Sequence, residues 1–130
     1  MASSYRRGRH SVSDLKAHLV FVPKYRRNIF TAESLDLIRS AFDGVADKMG
    51  FQVLEFGGEA DHVHVLLEYP PKLAISQLAN HLKGVSSRLY RKQYPSPHAD
   101  HLWSPSYFAV SVGGAPLEII KQYINSQKPS

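Results

Sequence analysis

Two histidines separated by a single residue are the first feature of this sequence that could carry chemistry. His62 and His64 alternate with Val63, Val65 and Leu67. Such alternation is typical of a β-strand, because successive side chains of a strand point to opposite faces. The two imidazoles therefore share one face, about 7 Å apart along the strand. Neutral imidazole is the commonest metal ligand among side chains, so the pair is either half of a metal site or two surface histidines.

A tyrosine and a glutamine near the end of the sequence form a second candidate pair. Tyr123 and Gln127 follow Pro116 in a segment that we predict to be a helix. Side chains four residues apart lie on the same helix face. A glutamine carbonyl suits a hard divalent cation beside imidazole, and a tyrosine phenol can attack phosphorus and hold the product covalently. The alternative is a packed aromatic side chain followed by a solvated amide.

Composition limits the classes of protein that this chain can belong to. Its 130 residues suffice for a single domain with a hydrophobic core, which we take to span 1–130. It has no cysteine, which excludes disulfides, iron–sulfur clusters, thiolate zinc sites and cysteine nucleophiles. Neither the roughly 20-residue apolar run of a membrane span nor a secretory signal is present, so we expect a cytoplasmic protein with no membrane partner. A net charge of +5 and a pI near 9.6 favour a polyanionic partner, most simply nucleic acid.

Ten of the sixteen lysines and arginines fall into three segments. Residues 1–13 are polar and basic, and we expect them to form a flexible arm. An aromatic among three cations directly follows Pro23, which suits phosphate contact combined with base stacking. The second predicted helix carries cations on its polar face, and no acid lies between Glu68 and Asp100. The lack of acids favours phosphate contact over a solvated face for this helix, whereas a solvated turn stays an equal alternative for 24–27. The candidates for nucleic-acid contact are Lys24, Tyr25, Arg26, Arg27, Lys83, Arg88 and Arg91.

Apolar residues at three- and four-residue steps predict two internal helices. The first begins after Thr31, a good N-cap, and stops at Gly50. The second covers 75–94, with Ser76 as a candidate cap and Gly84 in its interior, where glycine costs about 1 kcal/mol relative to alanine. That cost favours close approach of another backbone or a ligand at this glycine. The predicted buried stripes are Leu35, Ile38, Phe42, Val45 and Met49, then Ile75, Leu78, Leu82, Val85 and Leu89, with Ser86, Ser87 and Tyr90 on the polar face of the second helix.

The strands complete the predicted fold. They cover Leu15–Val22, Phe51–Phe56, the histidine segment and Tyr107–Val112, and Gly57-Gly58 begins the connection between the second and the third. The order strand–helix–strand–strand–helix–strand is that of the split βαβ, ferredoxin-like (RRM-like) α+β fold. We expect a four-stranded antiparallel sheet with two helices on one face, and an extra C-terminal helix that carries the tyrosine. The two imidazoles then lie on the open face of the sheet.

Several of these segments together resemble a known family. The histidine triplet is weakly specific by itself, whereas the ordered set is highly specific and extends from about Leu15 to Gln127. It resembles the single-tyrosine HUH transposases, the small transposases of the simplest bacterial and archaeal insertion sequences. The motifs are Lys24-Tyr25-Arg26-Arg27, His62-Val63-His64, Lys83-Gly84-Val85-Ser86-Ser87-Arg88, Leu102-Trp103-Ser104 with Tyr107-Phe108, Ser111-Val112-Gly113, and Tyr123-Ile124 with Gln127.

The resemblance implies a transposase that cleaves and rejoins single-stranded DNA carrying hairpins at insertion-sequence ends. By position, Tyr123 matches the nucleophile of the family, and His62, His64 and Gln127 match its ligands for Mg²⁺ or Mn²⁺. A divalent ion offsets the repulsion between phenolate and phosphodiester. Attack by the tyrosine leaves a 5′-phosphotyrosine and a free 3′-hydroxyl, so strands can be rejoined without ATP. The family also implies a homodimer with composite sites, in which the tyrosine helix reaches the histidines of the other protomer.

Three other interpretations stay open at this point. A domesticated relative would use the same chemistry on repeated chromosomal palindromes. A non-catalytic single-stranded nucleic-acid-binding module would use the sheet as an RRM-type platform with exposed aromatics, although the predicted open face presents histidines instead. A zinc hydrolase would need three histidine or carboxylate ligands around an open position. Further histidines that are available for this, but lack motif spacing, are His18, His81, His98 and His101 among the five others.

Overall fold

The computed structural model describes residues 5–95 and 101–112, which form two α-helices, a four-stranded sheet and a short hairpin. The helices are α1 (Ala32–Met49) and α2 (Ile75–Gln93). A 3₁₀ turn, Lys24–Arg26, precedes α1. The strands in chain order are β1 (Arg6–Arg7), β2 (Val12–Ser13), β3 (Leu15–Phe21), β4 (Gln52–Glu59), β5 (His62–Tyr69) and β6 (Phe108–Ser111).

The main sheet has the strand order β4-β5-β3-β6, and each neighbouring pair is antiparallel. Apolar side chains of α1 and α2 share one core cluster with those of β3 and β5. The predicted ferredoxin-like α+β fold, with two helices over one sheet face, is therefore confirmed. The predicted C-terminal helix and the Gly113-Gly114 pair before it lie outside the described residues.

Helix α1 has the ends and the buried face that its sequence predicts. The Thr31 hydroxyl accepts a hydrogen bond from the Ser34 N–H at 3.2 Å, and the Ser34 hydroxyl accepts one from the Thr31 N–H at 2.8 Å. This reciprocal capping box satisfies two backbone donors that the helix leaves unpaired. Gly50 ends the helix with a φ of 83°, which glycine adopts without steric cost. On the inner face, Ile38 and Phe42 have no exposed surface.

Helix α2 is rotated relative to its predicted stripe. Leu82 is buried as expected, but Leu89 is exposed, and Ser86 and Tyr90, which the sequence pattern assigns to the polar face, are buried. The Ser86 hydroxyl accepts a hydrogen bond from the Trp103 indole at 2.9 Å and donates one to the Leu82 carbonyl at 2.6 Å. A serine can be buried here because both bonds compensate the loss of water. The polarity of the sequence alone does not reveal a donor seventeen residues away.

The start of α2 also differs from the prediction. Its N-cap is Ala74 rather than Ser76. Alanine has no side-chain oxygen for capping, but Gln77 Oε1 accepts a hydrogen bond from the Ala74 backbone N–H at 2.8 Å. The glutamine therefore supplies the half of a capping box that reaches back from the third helical position.

A β-bulge in β4 changes the face of the residues that follow it. Leu54 is an extra residue between two paired positions. As a result, Phe56 points to the core, with 5.8 Å between its ring centroid and that of Phe42, and Gly57 lies opposite His64. The prediction that the glycine pair begins the connection to β5 is wrong, since β4 continues beyond both glycines before the turn.

Residues 5–13 carry a short hairpin instead of the flexible arm that their composition suggests. Strand β1 pairs with β2, and the Arg6 guanidinium donates to both carboxylate oxygens of Glu68, at 2.7 and 2.8 Å. Glu68 is 7% exposed, and hydrogen bonding to it raises the pKa of Arg6 above its usual value. A bidentate pair with such geometry is a strong contact, and it attaches the hairpin to β5.

The hydrophobic core lies between the helices and one face of the sheet. Trp103, from the segment before β6, packs there against Phe21 and Phe30, with ring centroids 5.7 and 5.4 Å away. Its backbone forms an isolated β-bridge with Pro23, so the segment before β6 is attached to the end of β3. Among the described helices, none is long and apolar enough to cross a membrane.

Candidate active site

The two histidines of β5 lie on the sheet face opposite the helices. Val63 and Val65 between and beside them have no exposed surface, whereas His62 is half-buried and His64 is exposed. The two imidazole rings are stacked, with 6.0 Å between centroids and 26° between planes. Strand β5 is paired on both sides, so its backbone is held at both edges and both rings project from it on one accessible face. This arrangement suits two ligands of one divalent ion.

The carboxylate of Asp61 contacts both the histidine pair and the basic segment after β3. Its Oδ1 atom lies 2.9 Å from Nδ1 of His62, and its Oδ2 atom lies 3.5 Å from a guanidinium nitrogen of Arg26. The hydrogen bond with His62 is the largest of the interactions that lower the pKa of Asp61, and the Arg26 charge acts in the same direction. Asp61 is therefore ionised across the physiological pH range.

The ring of His64 lies directly against a glycine on the neighbouring strand. A Cβ atom added to Gly57 would lie 2.6 Å from Nε2 and 2.7 Å from Cε1 of His64. Contacts this short are essentially absent from real structures, so any other residue at this position would displace the imidazole. Gly57 thus belongs to the site although it has no side chain.

The basic turn, Lys24-Tyr25-Arg26-Arg27, lies beside the turn that precedes β5. Tyr25 and Arg26 have positive φ values of 64° and 50°, a region that non-glycine residues rarely adopt. The Tyr25 ring is 73% exposed, and Lys24 Nζ and Arg27 Cζ lie 5.5 and 5.2 Å from its centroid. An exposed ring between cations can stack on a base while the cations contact phosphates.

A cleft of about 390 Å³ opens between α2 and the segment before β6. It brings together Lys24, Lys83 and Arg91, three of the predicted nucleic-acid contacts. Gly84 lines the cleft. Apart from its chain neighbours and the backbone of α2 itself, no atom of the described residues lies within 4 Å of the position that its Cβ would occupy. Close approach of another backbone to this glycine, one of the two reasons that the sequence suggests for it, is therefore absent within 5–95 and 101–112.

Lys83 connects the two walls of the cleft. Its ammonium donates hydrogen bonds to the carbonyls of Ser104 at 2.7 Å and Pro105 at 3.1 Å, and burial lowers its pKa. An ammonium has three donors, so these two bonds do not exhaust it. On the same helix, Arg91 Nε donates to the hydroxyl of Ser87 at 3.2 Å.

Not all predicted site residues come together. Arg88 lies in a different groove, between α1 and α2, with Lys48 and Lys92 at its rim. Tyr123 and Gln127 lie outside the described residues. Within 5–95 and 101–112, no group of three histidine, aspartate or glutamate side chains could hold a metal ion.

Sequence reasoning missed several residues of this surface. Asp61 directly precedes the histidine triplet, and this adjacency is the signal that could have identified it. A glycine inside a strand often marks close approach by another group, which applies to Gly57. His101 lines the cleft, and nothing in the sequence distinguishes it from the other histidines.

The open face also presents an aromatic side chain that the prediction did not include. Phe108 of β6 pairs with Val20, which pairs with His64 on its other side. Directly paired residues point to the same face, and Phe108 is 61% exposed. The expectation that this face presents histidines instead of aromatics is therefore incomplete.

Fold and site together define a class of protein: a ferredoxin-like α+β domain with two histidines on its open sheet face and cationic surfaces beside them. The chain matches the family described as "Transposase IS200 like" over residues 11–127, and it belongs to this family. It is accordingly a DNA transposase, an enzyme that cleaves and rejoins DNA.

Similar proteins are named as transposases. The chain is 32% identical over 126 residues to the ISDra2 transposase TnpA of Deinococcus radiodurans, an alignment that covers 94% of this chain and 90% of that protein. It is 33% identical over 122 residues to the transposase for insertion sequence element IS200 of Salmonella typhimurium, covering 91% of this chain and 80% of that one.

Solved structures show the same fold. The crystal structure of a candidate transposase from Deinococcus radiodurans has a TM-score of 0.77 at 30% identity, over 96% of this chain and 99% of the other. A REP-associated tyrosine transposase bound to a REP hairpin has a TM-score of 0.60 at 15% identity, over 95% of this chain and 72% of the other. At that identity, the second likeness is one of fold.

Proposed function

We propose that this transposase acts on single-stranded DNA at insertion-sequence ends, through a metal-dependent reaction with a 5′-phosphotyrosine intermediate. The observation that carries the proposal is the stacked pair of His62 and His64 on the open face of a sheet of this transposase family. Imidazoles held in this way can bind a divalent ion at a place that a DNA strand can reach. The neighbouring basic turn offers cations for the phosphates of that strand.

Tyr123 is the proposed nucleophile. Its phenol oxygen attacks the scissile phosphorus in line, the new O–P bond forms, and the bond to the 3′ oxygen breaks. The 3′ oxygen takes a proton and leaves as a hydroxyl, while the phosphate stays on the tyrosine as a 5′-phosphotyrosine. Attack by another 3′-hydroxyl reverses these steps and releases the phenol, so strands are exchanged without ATP.

His62, His64 and Gln127 are the proposed ligands of Mg²⁺ or Mn²⁺. The imidazoles occupy one strand face, and the described residues offer no third histidine or carboxylate placed to hold one metal ion together with them. An amide oxygen from Gln127 would complete a set of nitrogen and oxygen ligands, which suits these hard cations better than a sulfur set would. When bound, the ion would supply positive charge to a nonbridging phosphate oxygen.

Two surfaces are proposed to contact the DNA. The basic turn combines the exposed ring of Tyr25 with Arg26 and Arg27, and the cleft combines Lys24 and Lys83 with Arg91. The ligand of the REP-associated transposase is a hairpin, which supports a hairpin substrate for this chain as well. Contacts of this kind make the affinity fall steeply with salt. Arg88, in its separate groove, would contact a different part of the DNA.

The active form is proposed to be a homodimer with composite sites in the cytoplasm. In this arrangement, the helix with Tyr123 from one protomer reaches the histidines of the other. The edge strand β6 has all of its four residues exposed, and an exposed edge strand offers surface for a second copy of the chain.

A non-catalytic single-stranded nucleic-acid-binding module is the second candidate, because Tyr25 and Phe108 are exposed aromatics of the kind that RRM platforms use to stack bases. A domesticated relative that acts on repeated palindromic DNA would share the proposed chemistry, and only its target would differ.

The test is incubation of the protein with single-stranded hairpin DNA and Mn²⁺, followed by denaturing electrophoresis. We expect a slower band of protein joined to DNA, and its loss when the metal is chelated. Tyr123→Phe should remove this band while hairpin binding is retained, and Tyr5→Phe, in the N-terminal hairpin, is the matched control that should keep it. A Tyr123→Phe protein that still forms the adduct would refute the assignment, and hairpin binding without any adduct would favour the binding module.

A further inference from the structure

We propose that Asp61 is a positioning residue that fixes the tautomer of His62 and links the histidine pair to the basic turn. This inference rests on the proposed metal-binding role of His62. It follows from the two contacts of the carboxylate, one with His62 Nδ1 at 2.9 Å and one with Arg26 at 3.5 Å.

The contact with His62 determines which ring nitrogen carries the proton. An ionised carboxylate only accepts hydrogen bonds, so the proton of a neutral His62 lies on Nδ1. The lone pair is then on Nε2, at the far side of the ring from Asp61. Partners of this kind orient ligating histidines, and their loss typically weakens metal binding about 10–100-fold. His64 has no such partner among the described residues, so the two imidazoles of the pair are not equivalent.

The backbone next to Asp61 is hydrogen-bonded to the segment that follows the basic turn. The N–H groups of Ile29 and Phe30 both donate to the carbonyl of Ala60, at 2.9 and 3.0 Å. Phe30 is 6% exposed, and its ring meets that of Tyr90 edge to face, with 5.8 Å between centroids. The turn that carries Asp61 is therefore attached to the core. Its backbone position is fixed, so the carboxylate lies within hydrogen-bonding distance of His62.

The two oxygens of the Asp61 carboxylate make contacts of different strength. Oδ1 makes a close hydrogen bond with a half-buried ring, whereas Oδ2 faces the Arg26 side chain, which is 76% exposed. Exposed ion pairs contribute little to stability, because water and salt screen them. Arg26 can therefore exchange Asp61 for a DNA phosphate while Oδ1 keeps His62 in place. The basic turn and the histidine pair can thus contact the same strand without competing for the carboxylate.

The test measures the tautomer directly in the metal-free protein, by ¹⁵N NMR of the histidine rings at a pH well above the usual imidazole pKa of about 6.5. We expect His62 in the wild type to be protonated on Nδ1. In Asp61→Ala, proton density should shift toward Nε2. Two variants should leave the tautomer unchanged: Arg26→Gln, which removes only the weaker partner, and Glu59→Gln, which removes a carboxylate from the residue paired with His62. The His64 resonances serve as an internal reference.

A second measurement separates this inference from the proposed function. Mn²⁺ titration of the same proteins should show affinity reduced about 10–100-fold in Asp61→Ala and near wild type in Glu59→Gln. A wild-type protein that binds no Mn²⁺ contradicts the proposed function, whereas the tautomer result still decides the role of Asp61. If His62 carries its proton on Nε2 in the wild type, or if Asp61→Ala changes neither the tautomer nor the affinity, the positioning role is wrong. Amide spectra of each variant verify that it is folded.

Discussion

On its inner face, β5 presents Val63, Val65 and Leu67, none of which has exposed surface, and on its outer face it presents two stacked imidazoles. The inner residues contribute through apolar volume, which is shared among many neighbours, so an exchange for a similar shape costs little. The outer residues depend on single contacts: one hydrogen bond orients His62, and one glycine makes room for His64. The same strand therefore tolerates change differently on its two sides, with stability determined on one and chemistry on the other.

The largest expected difference is between Leu67→Ala and the histidine variants. Removing a buried leucine side chain should lower the free energy of unfolding by about 2–5 kcal/mol. His62→Ala and His64→Ala should stay folded, because neither side chain lies in the core, yet they should lose metal-dependent cleavage. Urea denaturation and the adduct assay measure the two effects. The comparison breaks down if His64→Ala unfolds as easily as Leu67→Ala, or if it still cleaves.

The adjacent glycines of β4 allow the same comparison with a single added methyl group. A Cβ on Gly58 would lie 2.8 Å from the His62 carbonyl oxygen and 3.0 Å from Leu35 Cδ2, so Gly58→Ala should destabilise the protein by about 1–3 kcal/mol through overpacking. The three atoms nearest to a Cβ on Gly57 all belong to the His64 ring, so Gly57→Ala should reduce Mn²⁺ affinity with a smaller loss of stability. Thermal unfolding measures the stability of the two variants, and Mn²⁺ titration measures their affinity. If Gly57→Ala and Gly58→Ala change stability and affinity equally, the predicted difference between the two faces is wrong.

The smallest expected effect concerns the two helical glycines, Gly44 and Gly84. Apart from chain neighbours and the backbone of the same helix, no described atom lies within 4 Å of a Cβ added to either. Replacing either by alanine should stabilise its helix by about 1 kcal/mol. Gly84 lines the cleft with Lys83 and Arg91, whereas Gly44 lines the groove of Arg88, so Gly84→Ala should weaken hairpin binding more than Gly44→Ala, most clearly at low salt. Thermal unfolding together with DNA titration distinguishes the two. Equal hairpin affinities for both variants would contradict the proposal that the cleft contacts DNA.

Much of the fold could be predicted from the sequence, because its signals are local. Thr31 and Gly50 fix the ends of α1 through hydrogen bonding and backbone conformation within a few residues. The alternation around His62 and His64 identifies β5 and its two faces. Family resemblance adds the expected order of the elements, which the sheet reproduces.

The incorrect predictions concern residues whose partners are distant in the sequence. Ser86 is buried because Trp103 brings an indole donor to it, and the N-terminal hairpin is attached because Glu68 lies within reach of Arg6. In the site, local alternation finds the histidine pair, but the role of Asp61 toward Arg26 depends on how two turns meet in space. The position of Arg88 apart from Lys83 and Arg91 likewise depends on the rotation of α2, which its polarity pattern does not reveal.

The bulge in β4 determines how this strand can vary in length. Leu54 is the residue without a partner, and Val53, Glu55 and Phe56 pair in succession with Leu67, Leu66 and Val65. Deletion of Leu54 would therefore leave a regular strand in which Phe56 still faces the core and Gly57 still lies opposite His64. A single deletion beyond Phe56 has no bulge to absorb it and would move the residues that follow it to the opposite face of the sheet. During evolution or engineering, β4 can thus lose one residue at the bulge but not one between Phe56 and the turn.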